Sequence, residues 1–440
     1  MHPWLENIVN LCRNRKNDNL ALFDEWPSLA SSINLKNHCY GEFSSAFVQA
    51  NEDMEDRSQV EVASRNALFL GVYDGHGGFE ASQFISEHLF DDLLRLTNEN
   101  ENKITEATLR DAVSATEASF LDSVKRNYMI NRNLGKVGSC CLAGIIWKGT
   151  LHVANLGDSR AVIGTMVNKR IRAEQLTRDH NCSDPAIREE LKSMHPGDPT
   201  IVKEKNGVWR VKGIISVSRS IGDTYLKRLE FTLCESFPKF KKVPEPFTRG
   251  VVSAEPEMRT RVLTYSDKFL IFASDGLWDF LSNEQAVEIV QNNPRNGIAK
   301  RLVSTVLAKA AANGNVTCNS MMHANLGRGD GNRRSFHDDI SVIVVFFDKT
   351  SFLRMPVHNL SYKSSSDRPT PSAFARSGLT THWLQRLKKT IKDRFKGSSS
   401  NASGSQDQNP ETPEGESSQT QSLLGQSSRA QSPWKNLKQN

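Results

Sequence analysis

A membrane-spanning run is missing from this 440-residue sequence. A spanning helix needs about 18 or more apolar residues in succession. The longest candidate, residues 340–347 (Ile-Ser-Val-Ile-Val-Val-Phe-Phe), has only strand length. No secretory leader is expected either, because the opening Met1-His-Pro-Trp-Leu-Glu-Asn7 has neither a basic n-region nor an apolar h-region. His2 leaves no glycine for N-myristoylation. The seven cysteines are odd in number and show no CxxC spacing, which reads as reduced thiols rather than a disulfide framework. An excess of one charge is also scarce. With 56 Lys+Arg against 50 Asp+Glu the balance is +6, too mild for a wholesale nucleic-acid binder unless it is concentrated. These absences lead to the expectation of a soluble intracellular protein.

What is present suggests one large folded block with appendages. Residues 1–40 read as an N-terminal extension, in which Trp4, Leu5, Ile8 and Leu11 suit a short amphipathic turn or a frayed leader. Residues 41–350 read as the folded domain. Residues 351–440 shift to Ser, Thr, Pro, Gln, Asn and Gly, a composition that cannot offset its ordering entropy and is expected to be disordered. Inside the block, Ala67–Tyr73 and Phe269–Ala273 are apolar runs stopped by Asp74-Gly75 and by Ser274-Asp275-Gly276. Cys141–Trp147 and Leu151–Ala154 flank Lys148-Gly149 and read as a hairpin. Ala161–Ile163 and Ile340–Phe347 read as further strands, and helical patterns cover Ala81–Leu96, Glu106–Arg126, Asp184–Met194 and Asn283–Ala312. Strands joined by hairpins, with helices in separate runs, predict an α+β layered sandwich.

Acidic residues recur at the ends of these strands: Asp74, Asp158, Asp275 and Asp338, with Glu55-Asp56 before a short strand and Asp279 four after Asp275. A single Asp-Gly is a routine turn, and Asp330-Gly331 is read as no more than that. A whole set at strand ends is different, because carboxylates brought to one edge repel unless a cation neutralises them. Carboxylate-rich sites without His or Cys suit Mg²⁺ or Mn²⁺. His76, flanked by glycines in Tyr73-Asp-Gly-His-Gly-Gly78, has little local packing and an ordinary pKa suited to donating a proton to a leaving alkoxide. Cys182 and Arg188 have the Cys-x5-Arg spacing of thiol phosphatases. Asp184 and Pro185 in that loop add repulsion and remove a donor, so the match reads as accidental.

Taken together, the segments resemble the metal-dependent type 2C serine/threonine protein phosphatases, the PPM family. The resemblance is carried by Glu55-Asp56, Tyr73–Gly78, Gly138-Ser-Cys-Cys141, Ala154–Ala161, Leu176–His180, Val217–Asp223, Phe272–Asp279 and His337–Ile340, in the family's order over residues 43–348. The wording of Val48–Asn51, Gly138–Cys141, Trp209–Ile215 and Tyr225–Arg228 is similar to the plant subgroup called clade D. The resemblance implies a four-layer αββα sandwich, with two antiparallel sheets and a dinuclear Mg²⁺ or Mn²⁺ site at one edge. Asp74 would bridge two metals, Gly75 would bind one through its carbonyl, and Asp275 and Asp338 would hold the other. Glu55 and Asp56 would act through waters, Asp158 and Asp279 match positions for a weaker third metal, and His76 matches the proposed general acid. The implied reaction is hydrolysis of phosphoserine and phosphothreonine by a metal-activated water, with no covalent phosphoenzyme.

Many family members carry an arginine four residues before the Glu-Asp pair, where it contacts phosphate; here Asn51 stands there. Arg57, Lys212 and Arg219 are the candidates to replace it, and sequence does not choose among them. A catalytically dead binding module of the same fold would normally lose a metal carboxylate, yet Asp74, Asp275 and Asp338 are all present. A hydrolase acting on nucleic acid would need a basic groove interleaved with aromatics, which the block does not show. Expected partners are phosphoprotein substrates. By analogy with the plant subgroup these include plasma-membrane proton pumps, with small auxin-induced proteins as inhibitors.

The basic charge is local. Trp383–Lys396 carries six basic residues against Asp393, and Leu384, Leu387, Ile391 and Phe395 fall at helical spacing. Such a segment suits an anionic membrane surface, a calmodulin-type partner, a nuclear-import patch or a solvated charge run. Peripheral contact with the inner face of the plasma membrane is the favoured functional reading, with cytoplasm and nucleus the other expected locations.

Overall fold

Apolar runs bounded by turn residues become the central strands. In the computed structural model the described residues are 30–63, 67–231, 250–348, 359–364 and 370–371. All lie in the first of the chain's two units, Met1–Ser377. The N-terminal pattern around Trp4 and the basic segment Trp383–Lys396 fall outside the described residues.

One sheet has the order β1 (Ala30–His38), β2 (Gly41–Val48), β16 (Ile340–Phe347), β15 (Asp267–Ala273), β9 (Arg160–Val167), β10 (Arg170–Gln175). The other runs β14 (Glu257–Val262), β8 (Thr150–Leu156), β7 (Cys141–Trp147), β4 (Ala67–Tyr73), β3 (Arg57–Val62), β17 (Leu360–Lys363), β18 (Thr370–Pro371). Every neighbouring pair in both sheets is antiparallel. The expected hairpin forms between β7 and β8. Lys148 and Gly149 have φ of 51° and 83°, so both central residues take the left-handed values that match strand twist.

Strands β15 and β16 face β3 and β4 across the sandwich. On the outer face of the first sheet lie α6 (Asn283–Asn292) and α7 (Ile298–Asn313). Ile298, Leu302, Val306 and Ala310 of α7 share a core with Ala46, Val48, Val342 and Val344. Each large aliphatic side chain buried there contributes about 1.5–3 kcal/mol. On the second sheet lie α1 (Glu80–Glu99) and α2 (Glu106–Asn127), with Phe90 of α1 against Phe69 of β4 at 5.0 Å between centroids. The architecture is the expected αββα sandwich.

The structure departs from two sequence expectations. The helix expected over 283–312 is two helices, because Pro294 lacks an N–H and Gly297 turns the chain with φ of 72°. The sheets also extend past the expected limits of 41–350, with β1 on one edge and β17, paired with β3, beside another.

Two small ribbons complete the frame. β5 (Gly75–His76), β6 (Gly138–Ser139) and β13 (Ile221–Gly222) form one; β11 (Val202–Lys205) and β12 (Val208–Val211) form the other. Short helices α3 (Pro185–Met194), α4 (Thr224–Lys227), α5 (Asp275–Trp278) and α8 (Cys318–Met322) sit in the connections.

Candidate metal centre

The strand ends deliver the acidic residues. Asp74 follows β4, Asp56 precedes β3, Asp158 follows β8, Asp338 lies two residues before β16, and Asp275 opens α5 just after β15. Close approach of the chain makes this possible: a side chain on Gly276 would collide with the carbonyl of Asp339. Asp56 Oδ2 accepts from Ser274 Oγ at 2.7 Å, tying the strand carrying Asp56 to the turn carrying Asp275. Asp158 accepts from Asn181 Nδ2 at 2.6 Å and from Cys140 Sγ at 3.2 Å. Ligand atoms of Asp74, Cys140 and Asp158 all lie within 4.8 Å of one another.

Asp339, the second acid of the His337–Ile340 motif, serves the frame. Its Oδ1 accepts from the backbone N–H of Ala50 at 2.6 Å and of Asn51 at 3.0 Å, and its Oδ2 accepts from that of Glu55 at 2.7 Å. One buried carboxylate thus fixes the loop that presents Asn51, Glu55 and Asp56. Asp338 Oδ1 accepts from Asn51 Nδ2 at 3.0 Å, while its Oδ2 pairs with Arg334.

Burial pushes the carboxyls of Asp56, Asp74 and Asp275 well above the usual range, and like charges add to it. Asp74 feels Asp275, Asp56, Asp158 and Asp338; Asp275 feels Asp158, Asp338, Asp279 and Asp56. Glu55 is raised by burial and by Asp339 and Asp338. Asp279, at the rim, is raised to about 6 by burial and by Asp158 and Asp338. Asp338 is raised by burial, with Arg334 opposing. Asp275 Oδ1 is buried without a hydrogen-bond partner among the described residues. Carboxylates so packed, with an orphaned oxygen and mostly oxygen donors, fit divalent Mg²⁺ or Mn²⁺.

His76 stands at the edge of this cluster on β5. Its Nε2 meets Asp223 Oδ2 at 2.8 Å, and Ser220 Oγ donates to the same oxygen at 2.6 Å. Asp223 is fully buried and sits in the left-handed region at φ of 47°. Gly138 makes room for the pair, because a Cβ there would overlap both Asp223 Oδ2 and His76 Nε2. Burial opposes protonation of His76. The charge and hydrogen bond of Asp223, with Glu55 and Asp158, outweigh it and raise the imidazole above 6.5. Sequence reasoning gave Asp223 no role; only the pairing of β5, β6 and β13 brings it to His76.

The three candidates for phosphate binding fare differently from the carboxylates. Lys212 is buried in an ion pair with Asp198, and its Nζ also reaches Thr200 Oγ1 at 3.3 Å. Arg219 pairs with Glu190 at 2.8 Å and donates to the carbonyl of Glu255 at 3.0 Å. Arg57 donates to the carbonyls of Met54 and Asp56 and lies over Phe79 at 5.4 Å. All three cations are engaged by partners of their own. Cys182 is fully buried, its thiol pushed up to about 11 chiefly by burial. Arg188 donates to the carbonyls of Cys182 and Ser183, and Asp184 caps α3 through the N–H of Ala186 at 2.8 Å. The Cys-x5-Arg spacing is therefore a helix start, not a phosphate loop.

An αββα sandwich with buried carboxylates gathered at its strand ends defines a metal-dependent phosphoester hydrolase. The chain belongs to the protein phosphatase 2C family, whose model matches residues 12–320. It is 52% identical over 360 residues to Probable protein phosphatase 2C 43 of Oryza sativa subsp. japonica, covering 79% of this chain and 91% of that protein. It is 51% identical over 355 residues to Probable protein phosphatase 2C 68 of Arabidopsis thaliana, covering 79% and 88%. The fold is shared with the crystal structure of serine-threonine phosphatase 2C from Toxoplasma gondii at a TM-score of 0.53 and 21% identity, covering 72% of this chain and 99% of that one. The protein is a metal-dependent protein serine/threonine phosphatase, as its motifs led us to expect. No helix among the described residues is long and apolar enough to cross a membrane.

Proposed function

We propose that Asp74, the Gly75 carbonyl, Asp275 and Asp338 hold two Mg²⁺ or Mn²⁺ ions, with Glu55 and Asp56 behind them and Asp158 and Asp279 at a weaker third position. When bound, the ions supply an activated water and neutralise the phosphoryl charge. His76 gives a proton to the departing serine or threonine oxygen. Asp223 orients the imidazole by engaging Nε2, which leaves Nδ1 as the nitrogen that delivers the proton. The observation that carries this reading is the set of like-charged buried carboxylates with Asp275 Oδ1 unpartnered. Phosphate release from a phosphothreonine peptide tests it: activity requires added Mg²⁺ or Mn²⁺ and disappears with EDTA. His76→Ala slows phosphoserine hydrolysis by about 10²–10⁴-fold and spares an aryl phosphate, whose leaving group needs least protonation. Equal losses on both substrates would remove His76 from this role.

The likeness of its motif wording to the plant subgroup supports a finer proposal. The substrates would include plasma-membrane proton pumps, with small auxin-induced proteins as inhibitors. The basic charge and apolar spacing of Trp383–Lys396 support peripheral attachment to an anionic leaflet. Equal binding of that segment to neutral and anionic vesicles would exclude the attachment.

A further inference from the structure

The arginines nearest the carboxylates are mostly consumed by architecture. Arg160 is held by Asp179 and donates to Asn283 Oδ1 at 2.8 Å. Arg333, fully buried, donates to the carbonyls of Gln49 and Met322. Arg57 is committed to backbone carbonyls, as above. Arg334 differs from all of them. Its ion-pair partner is Asp338 itself, and its side chain is 32% exposed. Its positive charge is felt by Asp279 as well as Asp338, opposing the rise that burial imposes on both carboxyls. The guanidinium therefore sits part-exposed beside the acidic cluster, on a short helical turn (Arg333–Ser335) that Arg333 ties to the carbonyls of Gln49 and Met322.

We propose that Arg334 is a phosphoryl-binding residue, whose guanidinium engages the substrate's phosphate dianion once Asp338 is committed to a cation. Asp338 Oδ1 already accepts from Asn51 Nδ2 and from the N–H of Asp339 at 2.8 Å, so Oδ2 is the oxygen that Arg334 and a cation compete for. A cation on Asp338 and a guanidinium beside it repel each other. A phosphate dianion between them removes that repulsion and accepts a bidentate pair of N–H bonds from a planar fork made for such oxygens. The same chemistry covers inorganic phosphate, the product. The proposal rests on the assignment of Asp338 as a metal ligand and adds to it the residue that reads the phosphoryl group.

The test uses the full chain with Arg334→Gln and Arg334→Lys, and Arg328→Gln as an exposed control. Inorganic phosphate is titrated calorimetrically into the Mn²⁺-loaded proteins, Mn²⁺ itself into the metal-free ones, and kcat and KM are measured on a phosphothreonine peptide. Arg334→Gln weakens phosphate binding and raises KM by roughly 10- to 100-fold, and Arg334→Lys recovers part of the loss. Mn²⁺ affinity stays equal or tightens, because a competing cation has gone. Phosphate affinity within twofold of the native value overturns the proposal. So does a loss of phosphate binding matched by a loss of Mn²⁺ affinity, which would make Arg334 a clamp for Asp338. Failure of the metal-site assignment shows separately, as native protein that binds no Mn²⁺ and turns over no peptide.

Discussion

Two buried polar regions in this fold are built on opposite rules. At the strand ends, Asp56, Asp74, Asp158, Asp275 and Asp338 share one space, moderated by neutral donors such as Ser274, Asn181 and Asn51 and by the charge of Arg334 on Asp338. In the segment from Lys212 to Lys227, each buried cation has an acid of its own: Lys212 with Asp198, and Lys227 with Glu117 at 2.7 Å. Glu117 also accepts from the N–H of Gly222 at 2.9 Å, which fixes the loop that carries Asp223 to His76. Charge neutralised from within the chain marks architecture. Charge left for something outside the chain marks the site. The Arg57, Lys212 and Arg219 candidates show why this matters: all three are basic residues inside or beside family motifs, yet Lys212 and Arg219 are paired with carboxylates and Arg57 is held by carbonyls and the Phe79 ring.

The largest effect that sharpens the contrast comes from Asp275→Asn. Loss of this residue, the direct ligand proposed above, lowers turnover by more than the roughly 100-fold that loss of an outer partner costs. The metal-free protein keeps its melting temperature or gains a few degrees, because one of several repelling carboxylates has gone. Activity and stability thus move in opposite senses. A variant that is both inactive and markedly destabilised would mean that Asp275 belongs to the architectural class.

The paired region behaves the other way. Lys227→Met leaves Glu117 buried without its cation, a change that costs about 3–5 kcal/mol. Lys227→Met with Glu117→Leu recovers much of this, since an apolar pair can replace a buried ion pair, but not all. The N–H of Gly222 then lacks its acceptor, and an orphaned buried donor costs about 1–3 kcal/mol. Urea unfolding of the single and double variants measures both steps, and full recovery in the double variant would show that Glu117 is no tether for the loop.

Legibility in the sequence followed how local the cause was. Ala67–Tyr73 and its Asp74-Gly75 stop could be read because a continuous apolar run and a turn dipeptide each act within a few residues. The carboxylates could be read because so many fell at strand ends. Asp223 could not, since its proposed role depends on a left-handed residue between the two-residue strand β13 and the short helix α4, and on a glycine, Gly138, far away in sequence. Arg334 was one basic residue among 56, distinguished only by its ion pair with Asp338 beside the carboxylate cluster. β1 escaped because the edge strand Ala30–His38 buries too little to show an apolar run, and β17 because Leu360–Lys363 is only four residues long with a serine among its two buried positions. The break at Pro294 was masked by apolar periodicity that resumes in α7.

The smallest effect is a pH dependence that should belong to one region only. In the metal-free protein the carboxyls of Asp56, Asp74 and Asp275 are raised well above 3.8, and that of Asp279 to about 6. Between the unfolded value and the raised folded one, the native state binds more protons than the unfolded chain, so stability falls as pH rises. The window opens near 3.8, includes the region around 6 set by Asp279, and extends higher for the buried residues. Asp279 adds little, because a carboxylate at the rim is screened by solvent. The deeper carboxylates carry most of the loss. With EDTA present, the carboxylates therefore pull the melting temperature down from pH 5 to pH 8, against His38 and His337, which burial lowers to about 4 and whose contribution rises with pH up to about 6.5. With saturating Mn²⁺ that decline disappears or reverses, since cations bind the deprotonated carboxylates and favour the folded state. A melting profile with the same slope in EDTA and in Mn²⁺ would show that the clustered carboxylates are compensated from within the chain, and the distinction between the two regions would fail.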